Sequence, residues 1–495
     1  MIFNSLQFLI FFPIVVLLYF IIPNRFKWGW LLVCSYYFYI SWNPKYVLLI
    51  ATSTIVTYMS GIFIGKACEI EDKTRGRKLK IFYVVLSLAI NLGILFFFKY
   101  YGFFSQSLIR TFEIFNISLV LPKFDILQPV GISFYTFQAL SYTIDVYRGD
   151  IKPEKNLGKY ALFVSFFPQL VAGPIEKSKN LLNQFNYNYN FDYYRVKSGL
   201  LLMLWGFFQK VCISDRLAIF VNSVYDAPES YAGFQIVIAT IFFAFQLYCD
   251  FSSYSDIAIG AAKVMGFTLT NNFRQPYLSK SIKEFWQRWH ITLGGWFKDY
   301  LYIPLGGNRK GKIRLYLNLM IVFLTSGLWH GASINFVIWG GLHGLYQIIG
   351  DITRPIKEKI IGQFKIRTKV FSYKLMQILI TFVLVDFAWI FFRASSFQAA
   401  KTIIKNMVIF NPWTLFDGSI FNMGLGRSDF FVAAIGIIIV IFIDWIQATK
   451  GPISILSEQN LVFRWAVYVG TIILIVIFGV YGPGYSAQQF IYSQF

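Results

Sequence analysis

The chain has 495 residues, 56% hydrophobic and 20% aromatic, with only 14% charged. A soluble domain carries about 25% charged residues, so this composition excludes a soluble globular protein and requires a lipid-facing exterior. The net charge of +21 fits Lys and Arg gathered in cytoplasmic loops, with a smaller share left to attract an anionic donor; no RNA- or DNA-binding motif is present, which argues against nucleic acid as a partner.

A membrane span needs about 20 apolar residues. Runs near that length fall at 6–22, 28–42, 46–65, 80–100, 102–119, 128–147, 158–173, 198–224, 232–265, 313–348, 372–393, 429–446 and 464–482. They predict an all-α polytopic membrane protein. No Lys or Arg precedes the first run, and Arg25 is the first basic residue. A secretion signal needs a basic leader, so this run is expected to stay as the first span. The runs at 232–265 and 313–348 are too long for one straight crossing and are expected to tilt, kink or break.

Lys66, Lys73, Arg75, Arg77, Lys78 and Lys80 place the loop after the third run in the cytoplasm. The N-terminus is then outside. The Lys/Arg-rich stretch from Arg354 to Lys369 is expected in the cytoplasm too. The segment from Lys280 to Arg314 is basic, aromatic and Gly-rich, with no spanning run. It reads as interfacial or re-entrant, since non-helical backbone at membrane depth needs protein or a water-filled cavity around it. The longest external loop is 395–428, expected to be ordered by Trp413, Phe416 and Phe421. No repeat and no soluble domain interrupts the chain, so one membrane domain over 1–495 is expected. Its catalytic core lies at about 128–348 and its last helices at 372–495.

Four cysteines, Cys34, Cys68, Cys212 and Cys249, show neither a CxxC pair nor metal spacing and read as small buried residues. Three histidines, His290, His330 and His343, fall within one short stretch. Ionisable groups at membrane depth are costly and are functional candidates by default. His330 lies in an apolar segment between Gly327 and Gly331, which let a substrate or a backbone come close. A buried imidazole stays neutral and can take the proton of an attacking hydroxyl; the bland reading is a core histidine. His290 closes Phe285-Trp286-Gln287-Arg288-Trp289-His290 and could orient a thioester carbonyl or act as an interfacial anchor.

His343 follows His330 by 13 residues. On an unbroken helix that is roughly 140° around and about 20 Å along the axis. The two share a site only if the helix breaks near Gly340 and Gly341, so a structural role is expected for His343. No HExxH, GxSxG or P-loop appears, and no metal site is expected. Asp250, Asp256 and Asp386 stand in apolar runs and keep an ion-coupled transporter open as a rival class.

An ordered set of motifs resembles the membrane-bound O-acyltransferase family, in the branch that O-acetylates alginate and peptidoglycan. The set comprises Phe167-Pro168-Gln169-Leu170-Val171-Ala172-Gly173-Pro174, Gln246 to Asp256, Phe285 to His290, Trp296 with Asp299 and Tyr300, Tyr302 to Arg309, Gly327 to Ala332, Leu342-His343-Gly344, Trp389 to Ala394 and Phe490 to Phe495. Departures are Ser253, Gly294-Gly295 and Ser493, which bear on acceptor identity more than on catalysis.

The resemblance implies a bundle of about 11–13 helices with re-entrant pieces and a central tunnel. It implies His330 as the essential catalytic histidine and His290 as its partner near the reaction centre. Trp329, Trp286, Arg288, Lys298, Asp299, Tyr302, Asn308, Arg309, Asp250 and Asn335 are the candidates for substrate contacts. No tightly bound cofactor is implied. The donor is a cytoplasmic acyl thioester such as acetyl-coenzyme A. The acceptor is an extracytoplasmic glycan, reached directly or through a partner SGNH-type acetyltransferase. D-alanyl transfer from a carrier protein to teichoic acid stays open as an alternative. The implied location is the bacterial cytoplasmic membrane, crossed many times and bathed by its lipids.

Overall fold

A chain with so little polar surface must satisfy its backbone internally wherever lipid replaces water, and helices do this within a single segment. The computed structural model describes residues 1–124, 129–448, 456–481 and 490–491. The described residues are all-α, with no strand among them. In chain order the helices are α1 (Leu6–Ile21), α2 (Lys27–Ile40), α3 (Val47–Cys68), α4 (Lys73–Leu95), α5 (Tyr101–Ile114), α6 (Ile132–Arg148), α7 (Leu157–Ser165), α8 (Ser178–Leu181), α9 (Tyr193–Phe207), α10 (Asp215–Asp226), α11 (Phe234–Met265), α12 (Ile282–Arg288), α13 (Ile291–Phe297), α14 (Gly311–His330), α15 (Ile334–Gln363), α16 (Phe371–Arg393), α17 (Phe397–Met407), α18 (Arg427–Gln447) and α19 (Leu461–Phe478).

Among the described residues, eight helical runs are long and apolar enough to cross a membrane, and α1 is a shorter apolar helix. The runs expected separately at 80–100 and 102–119 form one continuous helix, Lys73–Ile114, joined through a π turn at Phe96–Tyr100. The run at 232–265 is one helix of 32 residues. The run at 313–348 breaks, but at Gly331-Ala332-Ser333 between α14 and α15 rather than near Gly340 and Gly341. Residue 128 of the expected 128–147 span and residues 492–495 of the C-terminal motif lie outside the described residues.

The chain forms two compact units. The first is Met1–Leu200 with Ala258–Thr270, and the second is Leu201–Ile257 with Asn271–Gln494. In the first unit, α3, α4, α6 and α7 pack through small and hydroxyl side chains, as lipid-embedded helices do. Ser53 donates to Asn91 at 2.5 Å, Tyr160 donates to Thr57 at 2.7 Å, and Gly61 faces Tyr142 so closely that a Cβ would sit 2.6 Å from the ring. The Phe167–Pro174 motif belongs to this unit. Gln138 and Gln169 both donate to the Phe163 carbonyl beside it, at 2.7 and 3.0 Å.

The second unit is built on the α14–α15 pair. Gly327 lies against the Phe336 carbonyl, Gly340 against the Phe323 carbonyl, and Gly331 against the Phe336 ring. Any side chain at these positions would collide with backbone or ring. These glycines therefore admit a neighbouring helix, not a substrate. The loop after α16 is ordered by asparagines and, of the three aromatics, by Phe421, which packs on Phe430 at 5.4 Å. Asn406 donates to the Pro228 and Tyr231 carbonyls, and Asn411 donates to Ala232 while accepting from the Phe234 N–H. Trp413 and Phe416 point outward, 74% and 85% exposed. All four cysteines are free, and Cys68 is exposed while the other three are buried.

Candidate active site

The local sequence explains how His290 is presented. Ser281 caps α12 by accepting from the Glu284 N–H at 3.1 Å, and Glu284 accepts from the Lys280 N–H at 2.9 Å. The serine cap, with the second contact just ahead of it, fixes the helix start. The helix ends at Arg288, where Trp289 turns extended, and His290 then adopts a left-handed conformation, φ 45°, before α13 begins. His330 is the last residue of α14. It ends the helix rather than sitting within it. Carbonyls left without an intrahelical partner gather there, and their partial negative charge stabilises a cation.

The structure brings these two histidines together. Their ring centroids lie 6.5 Å apart, and both are buried. Trp329 touches both rings, at 6.0 Å from His290 and 4.9 Å from His330. Trp339 and Phe392 close the far side of His330 at 5.0 and 5.4 Å, and Phe251 stands edge-on to His290 at 4.6 Å. In this apolar setting, burial lowers the His290 pKa from its ordinary 6.5 to about 3, so the ring is neutral at physiological pH.

Asn272, which the motifs did not single out, holds His290. Its side-chain oxygen accepts from the Thr292 N–H at 3.3 Å and the Thr292 hydroxyl at 2.9 Å, and it lies 3.1 Å from His290 Nδ1. Its amide nitrogen donates to Ser255 at 3.2 Å. Nothing in the local pattern marks this asparagine, because its partners lie up to 20 residues away.

His343 is fully buried. Its Nδ1 accepts from Trp286 Nε1 at 3.2 Å, and it packs on Trp339 at 5.2 Å. Trp339 thus packs on His330 and on His343 in turn. A separation of about 20 Å between the two would need an unbroken helix; the turn at 331–333 instead leaves them one tryptophan apart, with His343 behind that ring.

Several expected substrate contacts have other partners. Trp286 spends its indole N–H on His343. Arg288 pairs with Glu284 at 2.5 Å and donates to the Gln275 carbonyl at 3.3 Å. Asn335 donates to the Ala394 carbonyl at 2.9 Å, fastening α15 to the end of α16. Asp250 is buried in an ion-pair cluster: Lys210 Nζ lies 2.6 Å from Asp250 and 2.9 Å from Asp215. The Ile491 N–H donates to Asp250 at 2.7 Å, and the Phe490 ring lies 4.4 Å from the same ammonium. Lys210 is legible in the sequence as a cation set within the apolar 198–224 run, by the reasoning applied to the histidines. Of the other carboxylates, Asp256 accepts from Gln209 at 3.0 Å and Asp386 from Thr240 at 2.9 Å.

Lys298, Asp299, Tyr302, Asn308 and Arg309 follow α13 in the chain. They occupy a π turn at Lys298–Tyr302 and the glycine turn that leads into α14. Gly306 and Gly307 have positive φ, 103° and 56°, which side chains tolerate poorly. Asn318 holds the turn by donating to the Gly307 carbonyl at 2.8 Å. From Gly311 to His330 a helix rises about 29 Å. Asn308 and Arg309 therefore stand near one end of α14 and His330 at the other, while Lys298 lies at the end of the short helix that begins just after His290. Among the described residues, no group of three or more His, Cys, Asp or Glu is placed to hold a metal ion.

The described residues thus combine membrane-length helices with two buried histidines side by side among aromatic rings. The model of the membrane-bound O-acyltransferase family matches residues 153–384. A probable alginate O-acetylase of Pseudomonas aeruginosa is 38% identical over 418 residues, covering 84% of this chain and 76% of that protein. A peptidoglycan O-acetyltransferase of Helicobacter pylori is 35% identical over 417 residues, covering 78% and 74%. A teichoic acid D-alanyltransferase of Bacillus subtilis is 24% identical over 286 residues, covering 56% and 71%. The chain belongs to the membrane-bound O-acyltransferase family and is a multi-pass membrane O-acyltransferase.

Proposed function

We propose that this protein moves an acetyl group from a cytoplasmic thioester, acetyl-coenzyme A, to a hydroxyl on the outer face of a bacterial cytoplasmic membrane. The final acceptor is an exopolysaccharide or peptidoglycan hydroxyl, acylated directly or through a partner SGNH-type acetyltransferase. The observation that carries this reading is the meeting of His330 and His290 at 6.5 Å in a buried aromatic pocket. Two hydrogen bonds of about 2.8 Å meeting at one oxygen span about 4.6–5.6 Å. Imidazoles at this separation leave room between them for the attacking hydroxyl, whose proton His330 accepts.

His330 takes the hydroxyl proton as the oxygen attacks. The C–O bond forms, the C–S bond breaks, and the proton passes to the departing thiolate. The C-terminal carbonyls of α14 favour the positive charge that His330 carries meanwhile. Dry aromatic walls keep water from competing as acceptor. The basic glycine turn with Arg309, Lys310 and Arg314, about 29 Å along α14, suits the phosphates of a long donor; a helix N-terminus favours such anions. The names of the relatives, two of them O-acetylases of polysaccharides, favour acetyl over D-alanyl transfer.

The test is transfer from radiolabelled acetyl-coenzyme A by the purified protein in lipid nanodiscs. The intact chain should release thiol and label an added glycan or partner, and His330→Ala should not. Normal labelling by that variant would overturn the proposal. Ion flux that needs Asp256 or Asp386 and survives loss of His330 would favour the transporter reading.

A further inference from the structure

We propose that Asn272 is a positioning residue for acyl transfer: it sets the tautomer of His290, so that Nδ1 carries the ring proton and Nε2 carries the lone pair. The inference rests on the reading of His290 and His330 as the reaction centre. The geometry that leads to it does not.

The identity of the Asn272 atom facing the ring is fixed by its other partners. A backbone N–H can only donate, and the Thr292 N–H points at this atom. The atom is therefore the amide oxygen, and the same assignment leaves the NH2 group to donate to Ser255. An oxygen that only accepts must receive a proton from His290 Nδ1, at 3.1 Å. In a neutral imidazole the other nitrogen is then the acceptor. Burial keeps the ring neutral, so one tautomer rather than a cation is being selected.

Asn272 also imposes the backbone that aims the ring. Its own carbonyl accepts from the Ile291 N–H at 2.9 Å, and the Arg274 N–H donates to the Arg288 carbonyl at 2.9 Å. Residues 272–274 thus run beside 288–292 and grip the chain on both sides of His290. A left-handed conformation is uncommon for a residue with a side chain and persists only where its surroundings enforce it. Here the tautomer contact and one of the two enforcing backbone contacts come from one residue, Asn272. The far side of the ring faces Trp329 and, across 6.5 Å, His330. A lone pair at Nε2 makes His290 an acceptor in the pocket, able to stabilise the imidazolium that His330 becomes once it has taken the hydroxyl proton. The opposite tautomer would offer a donor there instead.

Two measurements test this. The chain has only three histidines, so histidine-selective 15N labelling of the full-length protein in lipid yields three imidazoles, and His290→Gln identifies one by its loss. The expected His290 spectrum is a neutral ring protonated at Nδ1. In Asn272→Leu that preference should be lost. A wild-type ring protonated at Nε2, or an Asn272→Leu ring still protonated at Nδ1, overturns the proposal. The second measurement is acetyl transfer. Removing the partner that orients a functional histidine costs about 10–100-fold, and Asn272→Leu should lose that much in kcat with KM for the thioester nearly unchanged. Asn272→Asp keeps an acceptor at the same place and adds negative charge. It should recover most of the rate, with the acid limb of the pH–rate profile moved to higher pH. Equal loss in both variants, with the Nδ1 proton intact in Asn272→Asp, would mark Asn272 as structural only and overturn the proposal. If His330→Ala stays active, the reaction-centre reading fails on its own, while the tautomer measurement still stands or falls by itself.

Discussion

The two ends of α14 differ in almost every physical respect. At its C-terminal end His330 is buried among Trp329, Trp339 and Phe392. At its N-terminal end Arg309, Lys310 and Lys312 are exposed around glycines of positive φ. A desolvated pocket strengthens each electrostatic contact inside it, and an exposed cationic turn acts mainly through attraction that salt screens. One helix therefore separates a place where acyl chemistry can be done from a place where a charged donor can be captured. The lesson is that the basic turn at Arg309 and Lys310 and the histidine pair are two places, not one site.

The largest test of this contrast is at the buried end. His330→Ala should lower transfer by about 10²–10⁴-fold with little change in KM for the thioester, read by steady-state thiol release. Next comes the buried charge cluster beside α11. Lys210→Met leaves Asp250 and Asp215 facing each other without their cation. Breaking such a pair costs about 3–5 kcal/mol, and thermal unfolding in detergent should show it. Lys210→Met combined with Asp215→Asn and Asp250→Asn should recover much of the loss, and if it does not, the cluster is not what holds this region.

Acid offers a third test. Unfolded, His290 titrates near 6.5; folded, it titrates near 3. Between these values the unfolded chain binds the proton and the folded chain does not. Stability contributed by the neutral ring is thus present above pH 6.5 and falls as pH drops toward 3. The slope is up to about 1.4 kcal/mol per pH unit. Unfolding followed from pH 7 to 4 should show a shallower slope in His290→Gln. The smallest effect is expected at the exposed end. Replacing Arg309, Lys310 and Arg314 with Gln should raise KM for acetyl-coenzyme A a few-fold, about 0.5–1 kcal/mol, and flatten its salt dependence, with kcat unchanged. A large drop in kcat would put the basic turn in the chemistry and erase the contrast.

Much of this architecture is legible in the order of the residues. The membrane class and the all-α fold follow from hydropathy summed over about 20 residues, a quantity that short windows of sequence contain in full. The rarity of histidine makes His290 and His330 visible, since an ionisable group in an apolar run stands out. The excess length of the 313–348 run announces a break. Its position is not legible. Gly340 and Gly341 look like helix breakers, yet Gly340 is where α15 packs on the Phe323 carbonyl, and the chain turns at Gly331-Ala332-Ser333 instead. A glycine's sequence neighbours do not say whether its missing side chain makes room for a turn or for another helix.

Sequence by itself, then, determined where lipid and helix go and which side chains were chemically exceptional, because those are properties of composition and local spacing. The tertiary structure alone decided which exceptional residues meet. It joined His290 to Asn272, 18 residues away, and Trp286 to His343, 57 away. It brought Asp250 to the Ile491 N–H, 241 residues away. It also set one tryptophan between His330 and His343. Such pairings arise from the packing of side chains that no periodicity along the chain encodes. They turned a single stretch of conspicuous residues into a buried pair of histidines with its supports, and a separate basic turn about 29 Å along the same helix.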